Sequence, residues 1–210
     1  KIMNNFEEII NSRRSIRKFT DEEISDETVR EIISSALKAP SACNSQCYHF
    51  IAVKNKAMIE KIAIETEKGI EEFYSDCDKE YIARRKKQIT FFRKAPLVIF
   101  FFLTKMDFYE PRSVQCYKDK GYGYNDMMSM MGSPDILSVG AAVENMLLTI
   151  HAKGLGACWM NDPIVSADRI SDLLGVNPEY RLLSVIPVGK SAYTPRELSS
   201  KTVDDVLEII

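Results

Sequence analysis

Arg13-Arg14-Ser15-Ile16-Arg17 sets three guanidiniums and a hydroxyl within five residues. On a loop they can converge on one dianionic phosphate through forked, charge-assisted hydrogen bonds. The same string also reads as a solvated basic turn. A second segment, Ala39-Pro40-Ser41-Ala42-Cys43-Asn44-Ser45-Gln46, follows a helix-ending proline with small and amide side chains. Amides can hydrogen-bond the edge of a planar heterocycle without crowding it; the alternative is an ordinary helix-terminating turn. The third segment is Lys153-Gly154-Leu155-Gly156-Ala157-Cys158-Trp159-Met160, whose glycines permit backbone approach to a ring ahead of an apolar strand. It is not G-x-G-x-x-G, because Trp159 stands where a third glycine belongs, so Rossmann-type dinucleotide binding is unsupported. Cys43, Cys47 and His49 offer three metal ligands without a fourth, and no metal is expected. His151 reads as a satisfied core or interface histidine rather than a base, and Trp159 as core.

These segments need elements to hold them. Phe6, Ile9 and Ile10 have helical spacing within residues 4–12, which feed the basic string. Asp26 is a candidate N-cap for a stripe of Val29, Ile32, Ile33, Ala36 and Leu37 that stops before Pro40. Tyr48 to Val53 suits a mostly buried strand, residues 55–69 a helix, and Glu71 to Arg93 a charged helical stretch with Arg84-Arg85-Lys86-Lys87 as its wet face. Leu97 to Leu103 reads as the central strand. Residues 105–134, with Met127-Met128-Ser129-Met130-Met131, break every period and read as a long mobile excursion. Ser138 to Lys153 is apolar on nearly every face, the pattern of a helix buried at the centre of an assembly, closed at Gly154. A short strand at 157–160, a helix at 166–174, a strand at 181–188 and a tail of helical period at 202–210 complete an α+β order with no repeat and no linker.

The chain has 210 residues, 45% of them apolar and 28% charged, with a formal charge of −2. Folding would remove roughly 70% of the surface of a chain this long from water, so a true core is available. The apolar run from Ala95 to Leu103 is too short to cross a bilayer. Balanced charge gives no global field for polyanions, which argues against nucleic acid. The five cysteines form an odd set without C-x-x-C and read as free thiols. With no apolar signal core in residues 1–5 and no N-x-S/T acceptor, a cytoplasmic protein is expected.

In this order the three segments resemble the nitroreductase family of FMN-dependent oxidoreductases, whose usual pattern runs R-R-S-x-R-x-F, then P-S-x-x-N-x-Q-P-W, then a G-L-G-x-C-W strand. The likeness covers most of the chain. It takes in Val139-Gly140-Ala141-Ala142-Val143-Glu144-Asn145, similar to the family's long dimer helix, and Pro187-Val188-Gly189-Lys190 with Pro195-Arg196. It implies an α+β nitroreductase-like fold, a central mostly antiparallel sheet flanked by helices, in an intertwined homodimer. One domain would span 1–210, with 105–134 as a variable lid-like excursion. By this likeness Arg13, Arg14, Ser15 and Arg17 would hold the phosphate and ribityl chain of tightly bound FMN, with Lys190 and Arg196 closing the cup. Pro40, Ser41, Ala42, Asn44 and Gln46 would line the flavin from the partner subunit, and Leu155 and Gly156 would pass beneath the ring with their amides toward N5 and O4. The family transfers hydride from NAD(P)H, a transient reductant, through flavin N5 to nitroaromatic or quinone-type acceptors by a ping-pong mechanism, so no side chain is named as catalytic. Relatives that dehalogenate, cleave flavin or dehydrogenate rings, and a non-catalytic flavin-binding module, are the alternatives. Two departures stand out: Cys47-Tyr48 replaces Pro-Trp, and Ser138 stands where many members carry Asp.

Overall fold

The computed structural model describes residues 6–107, 110–197 and 199–210; the first two residues of the expected opening helix and two residues of the expected 105–134 excursion, 108 and 109, lie outside them. Leu97–Leu103 is the natural starting point, because every residue in it is buried. Its odd-numbered side chains, Leu97, Ile99, Phe101 and Leu103, join one core cluster, and its even-numbered Val98, Phe100 and Phe102 join another. A strand covered on both faces loses the polar alternation of a surface strand, which is why its sequence is continuously apolar.

In chain order the elements are α1 (Phe6–Ser12), α2 (Asp26–Ala36), β1 (Tyr48–Val53), α3 (Lys56–Phe73), α4 (Lys79–Ile89), β2 (Leu97–Leu103), α5 (Pro111–Asp119), α6 (Tyr124–Met130), α7 (Pro134–Ala152), β3 (Gly156–Ala157), α8 (Ala167–Leu174) and β4 (Arg181–Gly189). The sheet order is β1-β2-β4-β3 and every pairing is antiparallel, with a register shift between Phe101 and Phe102 where β2 meets β4. On one face α2 and α7 contribute Ile32, Val143, Met146 and Ile150; on the other α3 and α8 contribute Ile59, Ile62 and Ile170. This is the α+β arrangement the sequence implies, and among the described residues no helix is long and apolar enough to cross a membrane.

The structure corrects four local expectations. Ser25, not Asp26, caps α2: its hydroxyl accepts from the Thr28 amide while Ser25 keeps an extended backbone. The 105–134 excursion carries two helices: Pro111 opens α5, α6 starts at Gly123 where Asp126 accepts the capping amide, and Met127 and Met128 are buried in the core. The strand expected at 157–160 is only the two residues of β3, with Met160 returning as an isolated bridge to Val185. The tail at 202–210 forms one 3-10 turn at Val203–Asp205, and Val206, Leu207, Ile209 and Ile210 stay exposed.

Candidate cofactor site

As the chain leaves α1 it is stitched into the fold on two sides. Ser15 bridges Ala157 in parallel, and the Ile16 amide donates to the Ala157 carbonyl at 2.8 Å. Four residues on, the Thr20 amide donates to the Lys190 carbonyl at 2.9 Å, and the Ala192 amide donates to the Lys18 carbonyl at 3.0 Å. The backbone therefore places Arg13, Arg14, Ser15 and Arg17 beside Leu155, Gly156 and Lys190, segments at opposite ends of the sequence.

Gly156 makes that contact possible. A Cβ on it would lie 2.4 Å from Ile16 Cγ1 and 2.7 Å from Ile16 Cβ, so the glycine provides room for a buried side chain of the basic segment. On the side where a Cβ would project, the neighbour that fills the space is Ile16. Leu155 is tied to the end of α7. Gly154, at φ +74, lets the Leu155 amide reach back to the Ile150 carbonyl and the Gly154 amide to the His151 carbonyl, the paired bonds of a Schellman ending for α7. The Leu155 N–H is thus committed within the protein and is not free to face a ring.

The cations differ in what they hold. Arg13 lies 3.8 Å from the Glu144 carboxylate. Among the described residues Arg14 donates only to the carbonyls of Asn11 (2.7 Å) and Arg13 (2.8 Å), and Arg17 only to the Ser15 carbonyl (3.5 Å). Lys190 pairs with Glu22 at 3.0 Å at the surface. Arg196 is exposed, and among the described residues no hydrogen bond or ion pair ties it to the others. At the foot of the cluster the Ser12 hydroxyl meets His151 Nε2 at 2.8 Å, and burial together with the charges of Arg13 and Arg14 lowers the imidazole's pKa. The neighbouring Cys158 thiol is raised by burial, an effect opposed by Arg17 and Ser15.

The second segment sits elsewhere. After α2 ends, Cys43, Asn44 and Gln46 all take positive φ (56°, 50° and 43°), unusual for residues with side chains. The loop is held by the Gln46 amide donating to Ser41 Oγ, by Gln46 Nε2 donating to Asn44 Oδ1, and by the Ala42 amide donating to Ser138 Oγ at 3.0 Å. Ser138, the departure noted above, is the anchor: its hydroxyl also donates to the Pro134 carbonyl, and its own carbonyl accepts from Tyr48 Oη. Cys47 turns inward and is 2% exposed, so its thiol is part of the core rather than a wall of the loop, and its pKa is raised by burial. Cys43 is exposed, which separates it from Cys47.

The loop is anchored on α7 at Ser138 and the basic cluster at His151. Thirteen residues of helix between them amount to about 20 Å of rise. Within one chain, Pro40, Ser41, Ala42, Asn44 and Gln46 therefore do not meet Arg13, Arg14, Ser15 and Arg17. Beside the loop, α5 and α6 enclose a cavity of about 570 Å³ lined by Met106, Val114, Tyr117, Tyr122, Tyr124 and Met127. Sequence reasoning missed this cavity because it placed no helix there. At its edge Tyr124 Oη accepts the Met106 amide at 3.0 Å and adjoins the buried Asp135.

This geometry agrees with what comparison shows. Residues 10–190 match the Nitroreductase family, so the chain belongs to that family. A "Putative NADH dehydrogenase/NAD(P)H nitroreductase" of Methanothermobacter thermautotrophicus is 27% identical over 194 residues, 90% of this chain and 78% of its own. Iodotyrosine deiodinase 1 of Mus musculus is 28% identical, over 96% of this chain and 68% of its own. Among solved structures, a BluB-like flavoprotein from Clostridium difficile superposes with a TM-score of 0.84 at 26% identity, covering 99% of this chain and all of that one. An FMN complex from Desulfovibrio desulfuricans superposes at 0.70 with 27% identity, covering 99% of this chain and 98% of that one.

Proposed function

We propose that the protein is an FMN-dependent oxidoreductase that takes hydride from NAD(P)H and delivers it to a nitroaromatic or quinone-type acceptor. The observation that carries this reading is the cluster of Arg13, Arg14, Ser15 and Arg17, in which the Arg14 and Arg17 guanidiniums have no carboxylate partner among the described residues. The donor set fits a phosphate monoester: guanidiniums held only by carbonyls keep N–H groups and full charge for an anion. Bound there, FMN would supply two-electron redox chemistry at its ring. Arg13, Arg14, Ser15 and Arg17 would bind its phosphate and ribityl chain, with Lys190 released from Glu22 to join them and Arg196 closing the cup as its segment folds over. Gly156 and Leu155 would support the ring through backbone and side chain, and no side chain is required as a general acid or base.

Pro40, Ser41, Ala42, Asn44 and Gln46 would complete the site from a second copy, making the functional unit a homodimer. Three features support this: the ~20 Å between loop and cluster, the exposure of Leu137 (68%) on α7, and an exposed area of 13125 Å² against roughly 9,900 Å² for a compact monomer of this mass. The cavity under α5 and α6 would then close over a small aromatic or quinone-like acceptor, its methionines suited to loosely specified apolar shapes. The chain as a single FMN-binding unit, with five free thiols, fits a reducing cytoplasm.

A second reaction, reductive dehalogenation, has one observation in its favour, the match to iodotyrosine deiodinase along nearly the whole chain. The test of the cofactor reading is an FMN titration of the parent and of Arg14→Ala and Arg17→Ala. Losing one charge-assisted contact at 1.5–3 kcal/mol weakens binding about ten- to a hundredfold. Unchanged affinity in both variants would remove the phosphate assignment.

A further inference from the structure

The cavity of about 570 Å³ under α5 and α6 carries charge as well as apolar wall. Its aromatic lining is Tyr117, Tyr122 and Tyr124, the first two edge to face with ring centroids 6.3 Å apart. Three charged side chains also line it, Lys105, Asp107 and Lys118. Lys105 is already used, paired with Glu179 at 2.8 Å. Asp107 comes from the segment that leaves β2, and Lys118 from the last turn of α5. Both are exposed, and neither has an ion pair or side-chain hydrogen bond among the described residues; they are not paired with each other.

Asp135, buried at the start of α7, strengthens the negative end. It has no cation partner among the described residues. Burial raises the pKa of Tyr124 and of the neighbouring Cys47; Asp135 adds to both effects, and Asp107 to the second. The field is therefore negative where the chain leaves β2 and positive on the α5 wall. Opposite charges that face one hollow without pairing discriminate between ligands. A ligand with an ammonium alone gains Asp107 and is repelled by Lys118, one with a carboxylate alone meets the reverse, and a neutral one gains neither. Only a ligand with both groups satisfies both walls. The tyrosines accept its ring and add cation–π attraction for the ammonium, while Met106 and Met127 leave the ring loosely specified. The volume lies within the range of small-molecule sites.

We propose that this cavity takes a zwitterionic arene, an aromatic ring that bears both an ammonium and a carboxylate, with Asp107 on the ammonium, Lys118 on the carboxylate and the ring among Tyr117, Tyr122 and Tyr124. The proposal names the class of acceptor for the same cavity. It rests on the flavin reading for reduction of the ligand, though not for its binding.

The test titrates FMN-saturated protein, without reductant, with four probes that share one nitroaromatic ring: p-nitro-L-phenylalanine, p-nitrophenethylamine, p-nitrophenylacetate and p-nitrobenzyl alcohol. Calorimetry reads the affinities for the parent, Lys118→Gln and Asp107→Asn. The expected result is that p-nitro-L-phenylalanine binds most tightly and that each substitution weakens it about three- to fivefold. Lys118→Gln should also weaken the acid but not the amine, and Asp107→Asn the amine but not the acid. A neutral or singly charged probe that binds as tightly as the zwitterion, affinities unchanged in both variants, or no saturable binding of any probe would each overturn the proposal. If p-nitro-L-phenylalanine binds through both residues to a protein that holds no FMN, the flavin reading fails while the cavity assignment stands. If reductant bleaches the bound flavin and no probe binds, the cavity assignment alone fails.

Discussion

Gly156→Ala places a methyl carbon 2.4 Å from Ile16 Cγ1, 2.7 Å from Ile16 Cβ and 3.1 Å from Ile16 Cγ2. Carbon atoms pack at about 3.5–4.0 Å, so Ile16 must retreat by roughly 1 Å or more. It has little room to do so, being 5% exposed and tied by its amide to the Ala157 carbonyl at 2.8 Å. Overpacking of this kind costs about 1–3 kcal/mol, and loss of the amide bond adds about 1 kcal/mol. A total of ~2–4 kcal/mol at about 2–4 °C per kcal/mol for a chain of this size predicts a fall in Tm of roughly 4–16 °C. The displaced residues are those flanking Arg14 and Arg17, so FMN affinity should fall with stability. Thermal unfolding of Gly156→Ala, Ile16→Ala and the double variant separates the causes, because in the Ile16→Ala background the contacts to Cγ1 and Cγ2 are gone, only that to Cβ remains, and the smaller side chain leaves room to relax it, so the added methyl group costs less. A Gly156→Ala protein that unfolds within about 1 °C of the parent, or the same added cost in both backgrounds, would refute the reasoning.

Two further outcomes follow from the site. His151 has a folded pKa below its usual 6.5, so the unfolded chain takes up the proton first as pH falls; the imidazole's share of stability is intact above that value and is lost on acidification from there down to the folded pKa. An anion bound by Arg13 and Arg14 offsets two of the charges responsible, so His151 should titrate at higher pH in the presence of FMN than in its absence, which NMR can follow in a chain with two histidines. Ser138→Ala deletes the acceptor of the Ala42 amide and should cost about 1 kcal/mol in chemical denaturation, with faster hydrogen exchange confined to residues 41–46.

The parts of the fold legible in the sequence were those whose signal is local. β2 was readable because burial on both faces writes a continuous apolar run, and β1 because it pairs with β2 along its full length, from Tyr48 opposite Leu103 to Val53 opposite Val98. The cap of α2 was displaced by one residue because Ser25 and Asp26 are both capping residues and only the backbone conformation chooses between them. α5 and α6 were missed although Pro111 and Gly123 mark their starts, since helices of nine and seven residues owe their stability to packing rather than to period, α6 through buried Met127 and Met128 and α5 through partly buried Val114 and Tyr117. The tail shows the converse: helical period in 202–210 is not enough when Val206, Leu207 and Ile209 have no surface of this chain to cover them.

At the site, the basic string was legible as chemistry because its residues are adjacent. What it packs against was not, because the meeting of Ile16 with Gly156 and of Thr20 with Lys190 joins segments 140 or more positions apart. The separation of the amide loop from the basic cluster was equally hidden, since it depends on both being fastened to α7, one at Ser138 and the other at His151.

The central claim is that this chain holds FMN and reduces it with a nicotinamide. An anaerobic visible spectrum of the purified protein, taken after FMN addition and desalting and again after NADPH and then NADH, tests it directly. The account predicts a retained flavin band that bleaches on addition of NADPH or NADH; a desalted protein without flavin, or a bound flavin that neither nucleotide bleaches, would contradict it.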